Sequence, residues 1–117
     1  MNNEKPTTMK KNKKQSVFIS GKISGEKIAD CTMKFGAAQK ELEAQGYEVL
    51  NPLSLVNDWE TPWEKAMDIT IKAVEECNAI YMLSDWRKSP GAKLEYKHAN
   101  YLGRMILYQD EKEYACL

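Results

Sequence analysis

One carboxylate, Glu95, falls in the middle of the apolar arc of a helix that the spacing predicts over residues 91–102, closed by Gly103. Lys93, Lys97 and Asn100 mark the solvated side, while Ala92, Leu94, Ala99, Tyr101 and Leu102 fill the remaining arc. A charge in such an arc costs on the order of several kcal/mol unless it is paired or has a task. Glu95 is therefore a candidate for chemistry. A Glu satisfied by an ion pair or a backbone donor at the rim of the arc is the other reading. Just before it, Ser89-Pro90-Gly91-Ala92 pairs an N-cap Ser with Pro at the first helical position. The same start is an anion site, because the first N–H groups of a helix point outward and Gly91 lets a ligand approach the backbone.

A second group lies near the start of the chain. Ser20-Gly21-Lys22-Ile23-Ser24-Gly25 offers two Gly, two hydroxyls and a Lys between a strand and a helix, which suits a phosphate cradle. It matches neither the dinucleotide fingerprint nor the P-loop, and a tight turn with incidental polarity remains open. Asp68 lies on the polar side of its helix, four residues before Lys72, so a surface ion pair is its default. Asp85 and Trp86 follow the third strand. Trp59, Trp63 and Trp86 could each stack on a base, with Trp63 the one expected in the core. His98, the single His, is expected to be packed and hydrogen-bonded rather than catalytic.

These residues need elements to hold them. Ser16–Ser20 reads as a strand, and Ile28, Cys31, Phe35, Ala38 and Leu42 then recur at helical spacing up to Gly46. Residues 47–50 form a second strand that stops at Asn51-Pro52. Thr61-Pro62-Trp63-Glu64 reads as a capping box with Pro at the first helical position, opening a helix whose buried arc holds Trp63, Met67, Thr70, Val74 and Cys77. Strands follow at 79–83 and 105–108, with a short last one expected at 114–117. Strand–helix alternation with three crossovers requires a mostly parallel sheet of four to five strands covered on both faces: an α/β three-layer sandwich, flavodoxin-like or Rossmann-like. Ligands in such sheets bind beyond the carboxyl ends of the strands, where the strand order reverses.

Composition narrows the class. The 117 residues make one domain, 16–117, preceded by a Lys-rich tail over 1–15 with no Val, Ile, Leu or aromatic residue, expected to be disordered. Five Lys against one Glu in the first 16 residues leave the body at −4 in an overall neutral chain. Nucleic acid is therefore not expected as a main partner. Three scattered Cys give no disulfide framework and no zinc spacing, and no metal or cofactor is called for. Without an apolar run of membrane length or a signal-peptide centre, the expected location is the cytoplasm.

The ordered set 18–25, Asn51-Pro52, 77–83 and 89–95, with Ala99 and Gly103, resembles the nucleoside 2-deoxyribosyltransferase-like superfamily, in particular a small bacterial and phage branch of unknown function. The resemblance spans residues 17–108 and implies cleavage or transfer at the N-glycosidic bond of a (deoxy)nucleoside or nucleoside 5′-monophosphate. It implies that Glu95 attacks the anomeric carbon to form a covalent glycosyl-enzyme, that Asp68 assists the leaving base and positions the sugar, and that Asp85 handles the base. It further implies that Ser89 binds a 5′-phosphate beside the loop from Ser20 to Gly25, and that a homo-oligomer completes the site. Retaining glycosidases solve a similar problem with two nearby carboxyl groups. The competing class is a catalytically silent nucleotide-binding or signalling module, which keeps the Gly loop and the Ser89 helix start without needing Glu95. A flavin carrier is disfavoured, because the binding loops offer few flat aromatic walls.

Overall fold

The computed structural model describes residues 14–110. The expected tail lies almost wholly outside them, and the expected last strand lies outside them entirely. Four strands, β1 (Ser16–Ser20), β2 (Glu48–Leu50), β3 (Ala79–Met82) and β4 (Met105–Tyr108), form one parallel sheet in the order β2-β1-β3-β4. Helix α1 (Ile28–Ala44) connects β1 to β2. A short α2 (Pro52–Leu55) and the longer α3 (Trp63–Glu76) lead to β3, and α4 (Pro90–Tyr101) leads to β4.

Residue alternation along the strands divides the core in two. Val17, Ile19, Ala79 and Leu83 face α1, where Phe35, Ala38 and Leu42 pack against them. Phe18, Ile80 and Met82 face the other way, onto Val74 and Ala73 of α3 and Ala92 and Ala99 of α4. This is the three-layer sandwich that the alternation predicts. Ile28, expected on the buried stripe of α1, is instead 54% exposed at its first turn.

The strand order reverses between β1 and β3, so the loops after these two strands diverge and leave a crevice between them. The backbone ties the loops together at their roots, with Leu83 N–H donating to Ser20 O at 2.8 Å. Two starts differ from expectation. Pro62 occupies the N-cap of α3 and no side chain caps it, so the capping box is not formed. Asn51 accepts from Leu53 N–H at 2.9 Å and opens α2, a helix that Asn51-Pro52 had marked only as a stop.

Candidate active site

The Glu95 carboxyl lies on the inward side of α4, next to the last residue of β1. Ser89 caps α4, its Oγ accepting from Ala92 N–H at 3.0 Å, and Pro90 begins the helix as the sequence predicts. From that start, the helical period carries Ala92, Glu95 and Ala99 onto the buried face. Ser20 ends β1 fully buried and donates its hydroxyl to Glu95 Oε1 at 2.6 Å. The Thr70 hydroxyl of α3 lies near the same carboxyl, and donates to Met67 O at 3.3 Å. Burial pushes the Glu95 carboxyl up to about 7 from an ordinary 4.5, and the bond from Ser20 and the nearby Thr70 hydroxyl oppose that rise. Glu95 therefore stands between its two protonation states near neutral pH.

Above it opens a cleft of about 370 Å³ at the crevice between β1 and β3. Its walls are the loop after β1 (Gly21, Ile23, Ser24, Gly25, Glu26), α2 and the segment after it (Pro52, Leu53, Val56, Asp58, Trp59, Thr61), α3 (Trp63, Ala66, Met67, Thr70) and the start of α4 (Ser89, Gly91, Ala92). Glycine is needed at two of these places. A Cβ on Gly21 would sit 2.6 Å from Leu83 Cδ1, and Gly25 turns the loop with φ at +83°. Gly91 lets α3 approach α4, since a Cβ there would lie 3.1 Å from Met67 Sδ.

Three predicted residues fall elsewhere. Asp68 is exposed and borders a separate depression between α3 and α4, together with Lys72, Lys97 and His98. It cannot face the cleft, because two residues of helix separate it from Thr70 by about 200° and Thr70 points inward. Asp85 is turned away as well. Its carboxylate accepts from Lys22 N–H at 3.1 Å and from the Lys34 ammonium at 2.7 Å. Lys34 also donates to Lys22 O at 2.8 Å, so Asp85 and Lys34 staple the loop after β1 to the loop after β3. Burial works against the Lys34 charge, but the hydrogen bond and charge of Asp85 prevail and hold that ammonium above its ordinary value. Trp86, in a short 3₁₀ turn over Trp86–Lys88, is buried in the core, its ring 4.7 Å from that of Tyr96.

Trp63 and Trp86 exchange their expected places: Trp63, expected in the core, lines the cleft beside Trp59, the two being 43% and 45% exposed. Lys22 contributes its backbone to the loop, but its ammonium turns onto Ser24 O at 3.0 Å and Glu26 at 3.2 Å. His98 pairs with Glu75 at 2.8 Å, outside the cleft, as its packed reading requires. Sequence reasoning named no role for Thr70, Glu26 or Asp58. Thr70 carried a usable signal, a hydroxyl within an apolar helical arc, whereas Asp58 sits in an irregular segment with none.

Comparison with solved structures gives the fold an analogue. A 2-desoxiribosyltransferase from Leishmania mexicana superposes with a TM-score of 0.63 at 15% identity, over 80% of this chain and 63% of that one. This chain therefore spans under two thirds of that enzyme, and the likeness is one of fold. No curated protein matches the sequence. The family model described as "Domain of unknown function (DUF4406)" matches residues 15–108, the whole sheet with its helices and cleft, and the chain belongs to that family.

Proposed function

We propose that this protein cleaves, or transfers across, the N-glycosidic bond of a nucleoside or nucleotide, with Glu95 as the nucleophile that forms a covalent glycosyl-enzyme. The observation that carries this reading is the Glu95 carboxyl, 6% exposed at the floor of a cleft at the switch point of a parallel sheet, bonded by the Ser20 hydroxyl and, among the described residues, by no cation. A buried carboxyl that no ammonium or guanidinium of the described residues accompanies contributes little to folding and is suited to chemistry. Ser20 fixes one oxygen and leaves the other for an anomeric carbon. The cleft volume suits a nucleoside-sized ligand, and Trp59 and Trp63 offer faces for a base. The Ser24–Gly25 turn and the Ser89–Gly91 helix start border the space where a sugar and any 5′ substituent would lie. The similarity in fold to a deoxyribosyltransferase supports the same chemistry.

The protein acts as a homo-oligomer in this reading. Leu94 and Tyr101 on α4 are exposed apolar residues lining the depression that contains Asp68, and Ile69 on α3 is exposed as well. A second reading, a catalytically silent nucleotide-binding module, is favoured by one observation: among the described residues the group bonded to Glu95 is the Ser20 hydroxyl and not a second carboxyl. Base release from nucleosides, measured by chromatography in wild type and Glu95→Gln, separates the two. Release that disappears in the variant supports the enzyme. Saturable binding with no release in either protein supports the silent module.

A further inference from the structure

Among the described residues no acid stands beside Glu95; this has a chemical solution, which rests on the glycosidic reading above. Among the described residues, the charged side chains lining the cleft are Glu26, Asp58 and Glu95, all carboxyls. The nearest ammonium groups are occupied: Lys22 by Ser24 O and Glu26, Lys34 by Asp85, Lys22 O and Glu26. Ser89 takes up the Ala92 N–H and the Lys93 N–H at the start of α4, which reduces what that helix end can offer an anion. Glu26 is a poor proton donor, because the hydrogen bond from Lys22 and the charge of Lys34 hold its carboxyl below the ordinary range. Two exposed indoles, Trp59 and Trp63, complete the lining.

We infer that the preferred substrate is a cationic N-glycoside, a pyridinium or N-alkylated purine nucleoside whose base carries a positive charge. Such a base is drawn to Asp58 and ionised Glu95, since Glu26 is already paired with Lys22 and Lys34, and is held against indole faces by cation–π attraction. It also removes the need for the missing acid. A carboxylate oxygen of Glu95 bonds to C1′ as the C1′–N bond breaks. The electron pair of that bond passes to the ring nitrogen and cancels its positive charge, so the base leaves neutral without receiving a proton. Water then adds at C1′, the ester bond to Glu95 breaks, its electron pair returns to the carboxylate, and the proton of the water passes to solvent. A neutral nucleoside, by contrast, forgoes the general-acid contribution of about 10²–10⁴-fold.

The test uses the full chain with nicotinamide riboside and 7-methylguanosine as cationic probes, and with guanosine, 2′-deoxyguanosine and guanosine 5′-monophosphate as the comparison set. Binding is measured in Glu95→Gln, where intrinsic bond reactivity plays no part, and base release in wild type. The expected result is Kd at least about 5-fold tighter for the cationic probes, weakened by salt and by Asp58→Asn, Trp59→Ala or Trp63→Ala, with base release at least about 100-fold faster than from the neutral nucleosides. Equal or tighter binding of the neutral set or the monophosphate, together with their turnover, overturns the inference and leaves the glycosidic reading intact. Base release from none of the five probes overturns both.

Discussion

The Glu95 carboxyl holds a proton that the unfolded chain would release, and this gives both its chemistry and its effect on stability a pH signature. Between its ordinary value of 4.5 and its folded value of about 7, the folded protein binds more protons at this site than the unfolded chain does. Stability from this group is therefore greatest below about 4.5, falls as pH rises to about 7 and is level beyond, a total of about 3 kcal/mol. Glu95→Gln should remove that slope and raise Tm at pH 8, as read by calorimetry across pH 4 to 9. A nucleophile must be ionised, so kcat/KM should rise with pH through about 7 and then level. Ser20 donates to the carboxylate, so Ser20→Ala should move that midpoint to higher pH, whereas a purely structural Ser20 would leave it in place.

The elements that hold this carboxyl were largely legible in the sequence. The bounds of β1 and β4 and the start of α4 at Ser89-Pro90 follow from β-branched runs and capping chemistry, both local signals. What local signals do not carry is the direction a side chain takes once elements pack. Trp63 has the right helical phase for the core, yet it sits in the first turn of α3, beyond the sheet edge, and so borders the cleft. Asp85 is at the functional edge, as the loop after β3 requires, but Lys34 of α1 claims it across 51 residues of sequence, which no local pattern announces. Two predictions belong to this scale. Asp85→Asn should raise KM while sparing kcat, because it loosens the stapled loop rather than removing a reacting group; a collapse of kcat alone would return Asp85 to the chemistry. Ser89→Ala should lower stability by about 1 kcal/mol through loss of the N-cap, as measured by urea titration.

At the scale of the molecule, strand order determines where everything else can matter. The order β2-β1-β3-β4 places Ser20 beside the start of α4 and sets α3 next to α4, so Ser20, Thr70 and Glu95 come from three separate segments and meet at one point. No helix among the described residues is long and apolar enough to cross a membrane. The exposed apolar residues of α3 and α4 should instead cover one another in a homo-oligomer. Sedimentation should show a species larger than 13.4 kDa that Leu94→Glu with Tyr101→Lys converts to monomer. The central claim, that Glu95 carries a glycosyl group, is met most directly by mass spectrometry of the protein quenched in acid during turnover of a nucleoside panel. The account predicts an added glycosyl mass on the peptide containing Glu95, absent in Glu95→Gln. Base release with no such adduct, or release that persists in folded Glu95→Gln, would contradict it.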